Sequence, residues 1–254
     1  MKQFTKKETG LVGAEPNQHA ESDFEKAFEI KIVKDQNSLN QIFKIRHKVY
    51  CEELGYEPIV SSQMESDEYD ENSIHFAVIH KRTGVFAGTV RLVFSSDEKQ
   101  MPLEAFFNES FENVHSLETK RGEKQSTCEV SRLAVLDTFR KRLGEACDKD
   151  GPFSEMELKC FPMISTALFY ACLCYCDQFN VTAYSMMEKR LARALKIAGV
   201  DNYQVGDFHN YHGQRAPFKF NNKINIERFR PNQLMLLNYV FRCIIEGNEI
   251  SMTA

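Results

Sequence analysis

Five carboxylates fall within the seven residues of the segment ESDEYDE, namely Glu65, Asp67, Glu68, Asp70 and Glu71. The apolar alternation of a strand begins directly after them. Such carboxylates can be buried only if cations pair with them. Arginine is the best partner, because its planar guanidinium binds a carboxylate through two hydrogen bonds. A buried carboxylate without such a partner is costly. The segment therefore raises the question of which arginines meet it.

Three arginines lie on or beside predicted ordered elements: Arg46 in a helix, Arg91 in the strand GTVRLV and Arg132 in the strand CEVSRLAV. A further acid, Glu129, precedes Arg132 by three residues, a spacing that puts two side chains on opposite faces of a regular strand. A bulge between them would bring both to one face, and bulges often lie next to active sites. From spacing alone, separate solvated surface charges remain the alternative to one shared site.

The elements that must position these residues follow from hydrophobic periodicity and turn signals. The turn RTG joins two strands into a hairpin, and Pro162 opens a buried helix, because proline is tolerated at a helix start. Residues 1–24 are predicted to be a flexible tail and residues 25–254 a single domain. The segment 95–127 is predicted to hold a short helix and a mobile loop. The alternation predicts strands at 28–34, 74–81, 85–94, 128–135, 181–187 and 200–206, and helices at 39–53 (capped by Asn37 or Ser38), 162–179, 188–199 and 231–247.

Strands that first form a hairpin and then alternate with helices predict an α/β (α+β) domain around a mixed sheet. The chain has 254 residues, of which 43% are hydrophobic and 27% charged, and a net charge of -4, so a nucleic-acid-binding function is not expected. No apolar run reaches the roughly 18–20 residues of a membrane span. The start MKQFTKKETG has no apolar core after its lysines and is not expected to be a secretory signal.

Eight cysteines without a secretory signal indicate a reducing, cytoplasmic compartment. Three of them form the run ACLCYC, whose alternate spacing differs from the C-x-x-C pairs of metal sites. Packed thiols in a core helix are therefore predicted there, and no metal site is expected.

In order and spacing, the segments IRHKVYCEELGY, ESDEYD, GTVRLV, MPLEAFF and EVSRLAV resemble the acyl-homoserine-lactone (autoinducer) synthases. Those enzymes carry an arginine and an aromatic residue on the first helix, an E-x-D-x-x-D loop, a strand arginine, and E-x-S-R on a later strand. Tyr56 stands where they usually have tryptophan, which this chain lacks. The later segment YHGQRAPF (211–218) looks closer to the PEP-CTERM/exosortase system-associated acyltransferases and the N-acyl amino acid synthases. The resemblance covers roughly residues 39–220.

The resemblance implies a GNAT acyltransferase fold, with a mixed, splayed central sheet flanked by helices. A V-shaped cleft between CEVSRLAV and VTAYSMM would take the pantetheine arm of an acyl thioester. A general base in this cleft would be Glu129, or as second choice Glu65, and backbone N–H groups at a bulge near Leu133 would stabilise the oxyanion. The resemblance places the substrate-binding residues at Arg46, Tyr50, Tyr56, Asp67, Asp70, Arg91, Arg132, Leu133 and Val135.

The donor inferred from the resemblance is an acyl carrier protein, with coenzyme A as the alternative. The phosphate loop of the GNAT fold corresponds to KRLGEA, in which Lys141, Gly144 and Ala146 are the matching positions. About fifteen residues separate this loop from Pro162, which favours a donor whose phosphate stays on its carrier. The basic cluster FRKR (139–142) would meet an acidic carrier, or is a solvated turn.

The implied reaction is transfer of a fatty acyl group to the amine of an amino acid or related small molecule, with no tightly bound cofactor. Transient contact with a membrane would come through the lipid product. Two alternatives stay open at this point. One is an autoinducer synthase that acts on S-adenosylmethionine, and the other is a catalytically silent acyl-binding module of the same fold.

Overall fold

The computed structural model describes residues 21–96, 99–107, 126–140, 151–221 and 223–246. Within them, eight strands form one sheet in the order β1-β2-β3-β4-β5-β8-β6, and β7 pairs with β8. The strands are β1 (Phe28–Val33), β2 (Ser73–His80), β3 (Phe86–Phe94), β4 (Thr127–Val135), β5 (Thr182–Glu188), β6 (Asn202–Gln204), β7 (His209–Asn210) and β8 (Gln214–Phe220). The helices are α1 (Asp23–Ala27), α2 (Gln36–Arg46), α3 (Pro102–Phe107), α4 (Glu155–Cys160), α5 (Ile164–Phe179), α6 (Lys189–Ile197) and α7 (Pro231–Phe241). The predicted mixed α/β sheet flanked by helices is confirmed.

The core helix α5 is apolar on nearly all sides and packs against the sheet, with Cys172, Cys174 and Cys176 buried as packed thiols as predicted. The helical stretch Glu155–Phe179 has the length and hydropathy of a membrane span, although the sequence was not expected to contain one. In its most apolar 18-residue window, 72% of the residues are buried inside the fold. The apolar side chains of this stretch are therefore mostly packed in the hydrophobic core.

The sheet separates between β4 and β5, the parallel pair. Their pairing runs only from Thr127 and Thr182 to Glu129 and Tyr184. Just beyond that point, the Ser185 hydroxyl donates to the Val130 carbonyl oxygen at 2.8 Å. The strands diverge from there, which is the V-shaped opening that the resemblance implied between these two segments.

The predicted bulge in β4 is present. Arg91 pairs with Ser131 and Thr89 pairs with Ala134, so three steps on β4 oppose two steps on β3. Arg132 lies in this irregular stretch with a φ of 53°, a left-handed conformation that is uncommon for a residue with a side chain. The extra residue changes which way the side chains beyond it point.

The first long helix starts earlier than predicted and changes its winding. The Asp35 side chain accepts a hydrogen bond from the Ser38 N–H at 2.9 Å, so Asp35 is the cap rather than Asn37 or Ser38. After Arg46, residues His47–Glu53 continue as a π-helix. Gly55 follows with a φ of 62°, as expected for a residue after a helix end.

Several further elements were not predicted from periodicity, among them α1 and β8. The short helix α1 lies within the predicted tail boundary, and its Phe24 is only 1% exposed, so the packed fold begins before residue 25. Strand β8 contains Pro217, which argues against a central strand. The Pro217 carbonyl accepts from the Val205 N–H at 2.9 Å, just past the end of β6. The nitrogen of Pro217, which carries no hydrogen, therefore faces the break between β6 and β7. The pairing of β8 with β5 on the other side is unaffected.

Candidate active site

A buried network of ion pairs joins α2, the acidic loop and β3. Arg46, 1% exposed, is hydrogen-bonded to Glu65 through Nε and to Asp70 through Nη1 at 2.5 Å. Arg91 binds both oxygens of Asp67, at 2.6 and 2.7 Å, and also donates to Asp70 at 2.6 Å. The predicted contact between these arginines and the loop acids is confirmed. The acidic loop is thus held against the sheet by charge-assisted hydrogen bonds.

Two carboxylates of this network, Asp67 and Asp70, have lowered pKa values and are ionised near pH 7. Burial by itself would raise the pKa of Asp70, but the hydrogen bond from Arg46 and the charges of Arg46 and Arg91 lower it to about 2. The pKa of Asp67 is likewise lowered, by Arg91 against the effect of burial. His75 lies 3.7 Å from Asp70, and burial lowers its pKa to about 4, so the imidazole is neutral near pH 7.

The bulge directs Arg132 into the same network. Its Nη2 donates to Glu57 at 2.7 Å and its Nε donates to Glu65 at 3.2 Å. Its guanidinium also lies 5.3 Å from the ring centroid of Tyr50, within cation–π distance. The Tyr50 hydroxyl in turn donates to the Leu133 carbonyl oxygen at 2.7 Å. Tyr50 therefore holds both the side chain and the backbone of the bulge.

Glu129 occupies the last paired position of β4 before the strands diverge, and it is 4% exposed. Its Oε2 accepts a hydrogen bond from the Leu103 N–H at 2.7 Å, in the first turn of α3. Burial raises the pKa of Glu129 to about 7, although this hydrogen bond and the charges of Arg91 and Arg132 act in the opposite direction. A carboxylate with this pKa can both take and return a proton near neutral pH.

A cleft of about 460 Å³ opens between the diverging strands. Seven of the sequence-predicted site residues line it: Tyr50, Tyr56, Asp67, Arg91, Glu129, Arg132 and Leu133. The bulge thus brings Glu129 and Arg132 to one cavity. Ionised arginines, one carboxylate with a raised pKa and two tyrosines together suit proton transfer beside an anionic or polar substrate.

The remaining predicted site residues lie elsewhere. Arg46, Glu65 and Asp70 form the inner part of the ion-pair network, behind the residues that line the cleft. Val135 belongs to the hydrophobic core, so its predicted substrate contact is not supported. The predicted phosphate-loop residues Lys141, Gly144 and Ala146 lie outside the described residues.

Cys128 illustrates how adjacent residues of β4 divide between core and cleft. Its thiol packs in the core 3.8 Å from Cys176, whereas Glu129 faces the cleft. Burial raises the pKa of Cys128 well above the ordinary value, so the thiol is not suited to act as a nucleophile.

Two site residues were missed or misjudged in the sequence. His212 was not among the predicted site residues, yet it stacks on Tyr56 with ring centroids 4.3 Å apart and lines the cleft. Arg215 of β8 also lines it, with its guanidinium 5.9 Å from the Tyr56 ring. The turn before β8, where His212 and Gly213 have φ values of 50° and 101°, returns the chain over Tyr56. In the sequence, Gly213 was the one local signal for a turn at this position.

Residues 45–147 match the acetyltransferase (GNAT) domain family. Among solved structures, the AHL synthase LasI is 18% identical, with a TM-score of 0.52, and the match covers 78% of this chain and 93% of that one. FeeM, an N-acyl amino acid synthase from uncultured soil microbes, is 16% identical, with a TM-score of 0.52 and coverage of 76% and 88%.

The CoA-dependent acyl-homoserine lactone synthase BjaI, solved with SAM and isopentyl-CoA, is 18% identical, with a TM-score of 0.56 and coverage of 85% and 92%. No curated protein matches the chain. At these identities the solved structures establish the fold. The chain therefore has a GNAT-like fold, similar to that of the autoinducer and N-acyl amino acid synthases, as the resemblance implied. The likeness to PEP-CTERM-associated acyltransferases stays a prediction.

Proposed function

We propose that this protein is an N-acyltransferase that moves a fatty acyl group from an acyl thioester to the amine of an amino acid or related small molecule. The observation that carries this proposal is the position of Glu129. Its carboxylate, with a pKa of about 7, lies where β4 and β5 diverge and faces a cleft large enough for the reacting groups. The GNAT match supports the reaction class.

The pantetheine arm of the donor would lie between the diverging strands. Beyond Glu129 and Tyr184, the two strands no longer pair with each other, so backbone groups on their facing edges are available to the amide groups of the arm. This arrangement would bring the thioester carbonyl to the level of Glu129. Backbone N–H groups at the bulge, near Leu133, are proposed to stabilise the oxyanion.

The proton balance assigns the role of Glu129. The amine nitrogen attacks the thioester carbon, a C–N bond forms and the C–S bond breaks. The ionised carboxylate of Glu129 takes the proton that the amine loses and returns it to the leaving thiolate, so that an amide and a free thiol result.

Glu65 is the weaker candidate for the base. Arg46 binds its Oε2, and Arg132 lies 3.1 Å from its Oε1, so both oxygens already serve arginines. We therefore assign Glu65, together with Arg46 and Asp70, a positioning role. These residues would hold Arg91, Arg132 and the acidic loop in place around the cleft.

An acyl carrier protein is the proposed donor. The helix α6 exposes Lys189, Arg190, Arg193 and Lys196, and its Arg190 and Ala194 line the mouth of the cleft. Carrier proteins are acidic, so these cations would orient the carrier with its thioester toward Glu129. In the predicted basic cluster FRKR, by contrast, Arg140 is paired with Glu53.

Coenzyme A remains the alternative donor, since BjaI shares the fold and is CoA-dependent. The acceptor alternatives differ in what must fit beside Tyr56. S-adenosylmethionine brings an adenosyl group, whereas an amino acid does not. The stack of His212 on Tyr56 fills space next to the cleft and favours the smaller acceptor. The buried free thiols support the proposal of a reducing, cytoplasmic compartment.

The test combines product analysis with one variant. Lipid extracts of cells expressing the chain are compared by mass spectrometry with extracts of cells expressing Glu129→Gln. N-acylated amines that accumulate only with the parent chain support the proposal and identify both acyl chain and head group. Equal extracts, with the parent chain folded, would favour the silent acyl-binding module.

A further inference from the structure

Arg215 differs from the other arginines that line the inner cleft, because its charge is not neutralised by a close carboxylate. Arg91 is held by Asp67 and Asp70, and Arg132 by Glu57 and Glu65. Among the described residues, the one acid paired with Arg215 is Glu188, at 3.8 Å, and the Glu188 side chain is half exposed. An exposed pair at this distance contributes little.

The donor groups of Arg215 are also incompletely used. Its Nε is buried and has no hydrogen-bond partner among the described residues. The side chain as a whole is 23% exposed and lines the cleft, so its remaining N–H groups are accessible to a ligand. A buried donor without an acceptor is unusual in a folded protein. A small rotation of the side chain would expose Nε to the cleft, and a carboxylate could then take Nε and Nη2 together.

The surroundings fix where that fork points. Arg215 pairs with Glu188 across β5 and β8 and with His209 across β7 and β8, which holds its backbone on both sides. Its guanidinium lies over the ring of Tyr56, which is stacked on His212. Its charge also acts on the Tyr50 hydroxyl, which binds the bulge of β4. Arg215 on β8 and the bulge of β4 therefore line the same cleft.

We infer that Arg215 binds the carboxylate of the acceptor, which makes the acceptor an amino acid with a free acid group, and that His212 and Tyr56 form the wall against which this carboxylate lies. The inference rests on the proposed N-acyltransferase function and extends it to the recognition of the acceptor. The carboxylate held at Arg215 would leave the amine directed toward Glu129 on the facing strand. The reaction itself, with its transfer of the acyl group and proton, is unchanged.

The acceptor's acid group can be tested without knowing its side chain. Dodecanoyl-CoA and dodecanoyl-loaded carrier protein serve as donors, and each proteinogenic L-amino acid is compared with its own carboxamide. The parent chain is expected to acylate its best amino acid with a kcat/KM about 10²-fold above that of the matching carboxamide, since a charge-assisted pair is lost in the amide.

Variants then assign this preference to one residue. Arg215→Gln should raise the acceptor KM and reduce the preference for acid over amide to near one. Arg215→Lys keeps the charge but loses the fork, so it should retain part of the preference. Arg228→Gln, an exposed arginine paired with Asp201 outside the cleft, is the matched control and should behave as the parent.

The outcomes separate the two proposals. If the parent chain acylates no amine with either donor, the proposed function fails. If it acylates amino acids and carboxamides equally, or if a folded Arg215→Gln keeps the full preference, the function stands and the role of Arg215 is wrong. Melting curves of all variants show which are folded, and should Arg215→Gln not fold, Arg215→Lys decides by its preference ratio alone.

Discussion

Glu129 and Arg132 are three residues apart on one strand, yet both side chains line the same cleft, because β4 carries one extra residue between Ser131 and Ala134, where Arg132 itself lies. Among the residues that the structure describes, none forms an ion pair with Glu129, and burial raises its pKa to about 7. Arg132 instead joins the acids of the loop. One strand thus supplies both a carboxyl group with a raised pKa and a guanidinium group held in ion pairs.

Replacing Glu129 with Gln should abolish most activity without unfolding the protein. The amide oxygen of Gln can still accept from the Leu103 N–H, whereas the lost general base is expected to lower kcat by about 10²–10⁴-fold. Paired measurements of the amide-forming rate and of thermal melting check this. A variant of near-full rate would assign the base elsewhere.

Glu65→Gln is the matched comparison and should show the opposite pattern. It removes the carboxylate that Arg46 and Arg132 share, while Asp70 still pairs with Arg46 and Glu57 with Arg132. Breaking a buried ion pair costs up to about 3–5 kcal/mol of stability. We expect its melting temperature to fall clearly below that of Glu129→Gln. A stable, inactive Glu65→Gln beside an active Glu129→Gln would reverse the two roles.

The raised pKa of Glu129 should also appear in pH profiles. The rate should increase with pH through an apparent pKa of about 7, as the carboxyl group loses its proton and becomes a base. Glu129→Gln should lack this limb. Measuring kcat/KM from pH 5 to 9 for both proteins tests the assignment, since a limb that persists in the variant belongs to another group, such as the acceptor amine.

The same group should lower stability at high pH. Its folded pKa lies above the ordinary value, so folding is favoured most while the carboxyl is protonated in both states, and stability falls as pH rises toward and through about 7. The difference corresponds to about 3 kcal/mol. Urea unfolding at pH 5 and pH 8 should therefore show Glu129→Gln gaining relative to the parent at pH 8, and an unchanged difference would contradict the raised value.

Asp70 should have the reverse dependence. Its folded pKa of about 2 lies below the ordinary value of 3.8, so its contribution is present above about pH 4 and is lost as pH falls toward 2. The shift corresponds to about 2 kcal/mol. Asp70→Asn should be less stable than the parent at pH 7, and the gap should narrow in acid, as read from urea unfolding. A gap independent of pH would mean that Asp70 acts through packing alone.

Charge reversal on α6 tests the donor. Arg193→Glu should raise the KM for an acyl carrier protein roughly tenfold at low salt, because the new carboxylate repels the acidic carrier. The KM for the matched acyl-CoA should be unchanged. Lys223→Glu, exposed and outside the residues lining the cleft, is the control. Equal effects on both donors would count against carrier docking at α6, and a higher kcat/KM for the coenzyme A thioester would favour coenzyme A as donor.

Local patterns were sufficient for much of the scaffold. The hairpin, β4, the buried helix and its thiols follow from periodicity and from turn residues, which act between neighbours in the chain. Spacing also indicated that Glu129 and Arg132 need a bulge to share a face. The pairing of Arg46 and Arg91 with the loop acids, by contrast, was expected only from the resemblance, since spacing alone favoured separate solvated charges.

The long-range features could not be read from local patterns. Strand β8 was not predicted because it contains Pro217, which lacks an N–H donor. In the fold, this position faces the break between β6 and β7, where no donor is required. The pKa of Glu129 depends on burial beneath α3, and the open donors of Arg215 depend on which acids its neighbours have already taken. Hydrophobic alternation is a property of adjacent residues, whereas desolvation and ion pairing depend on distances between segments far apart in the chain, and these exist only in the folded protein.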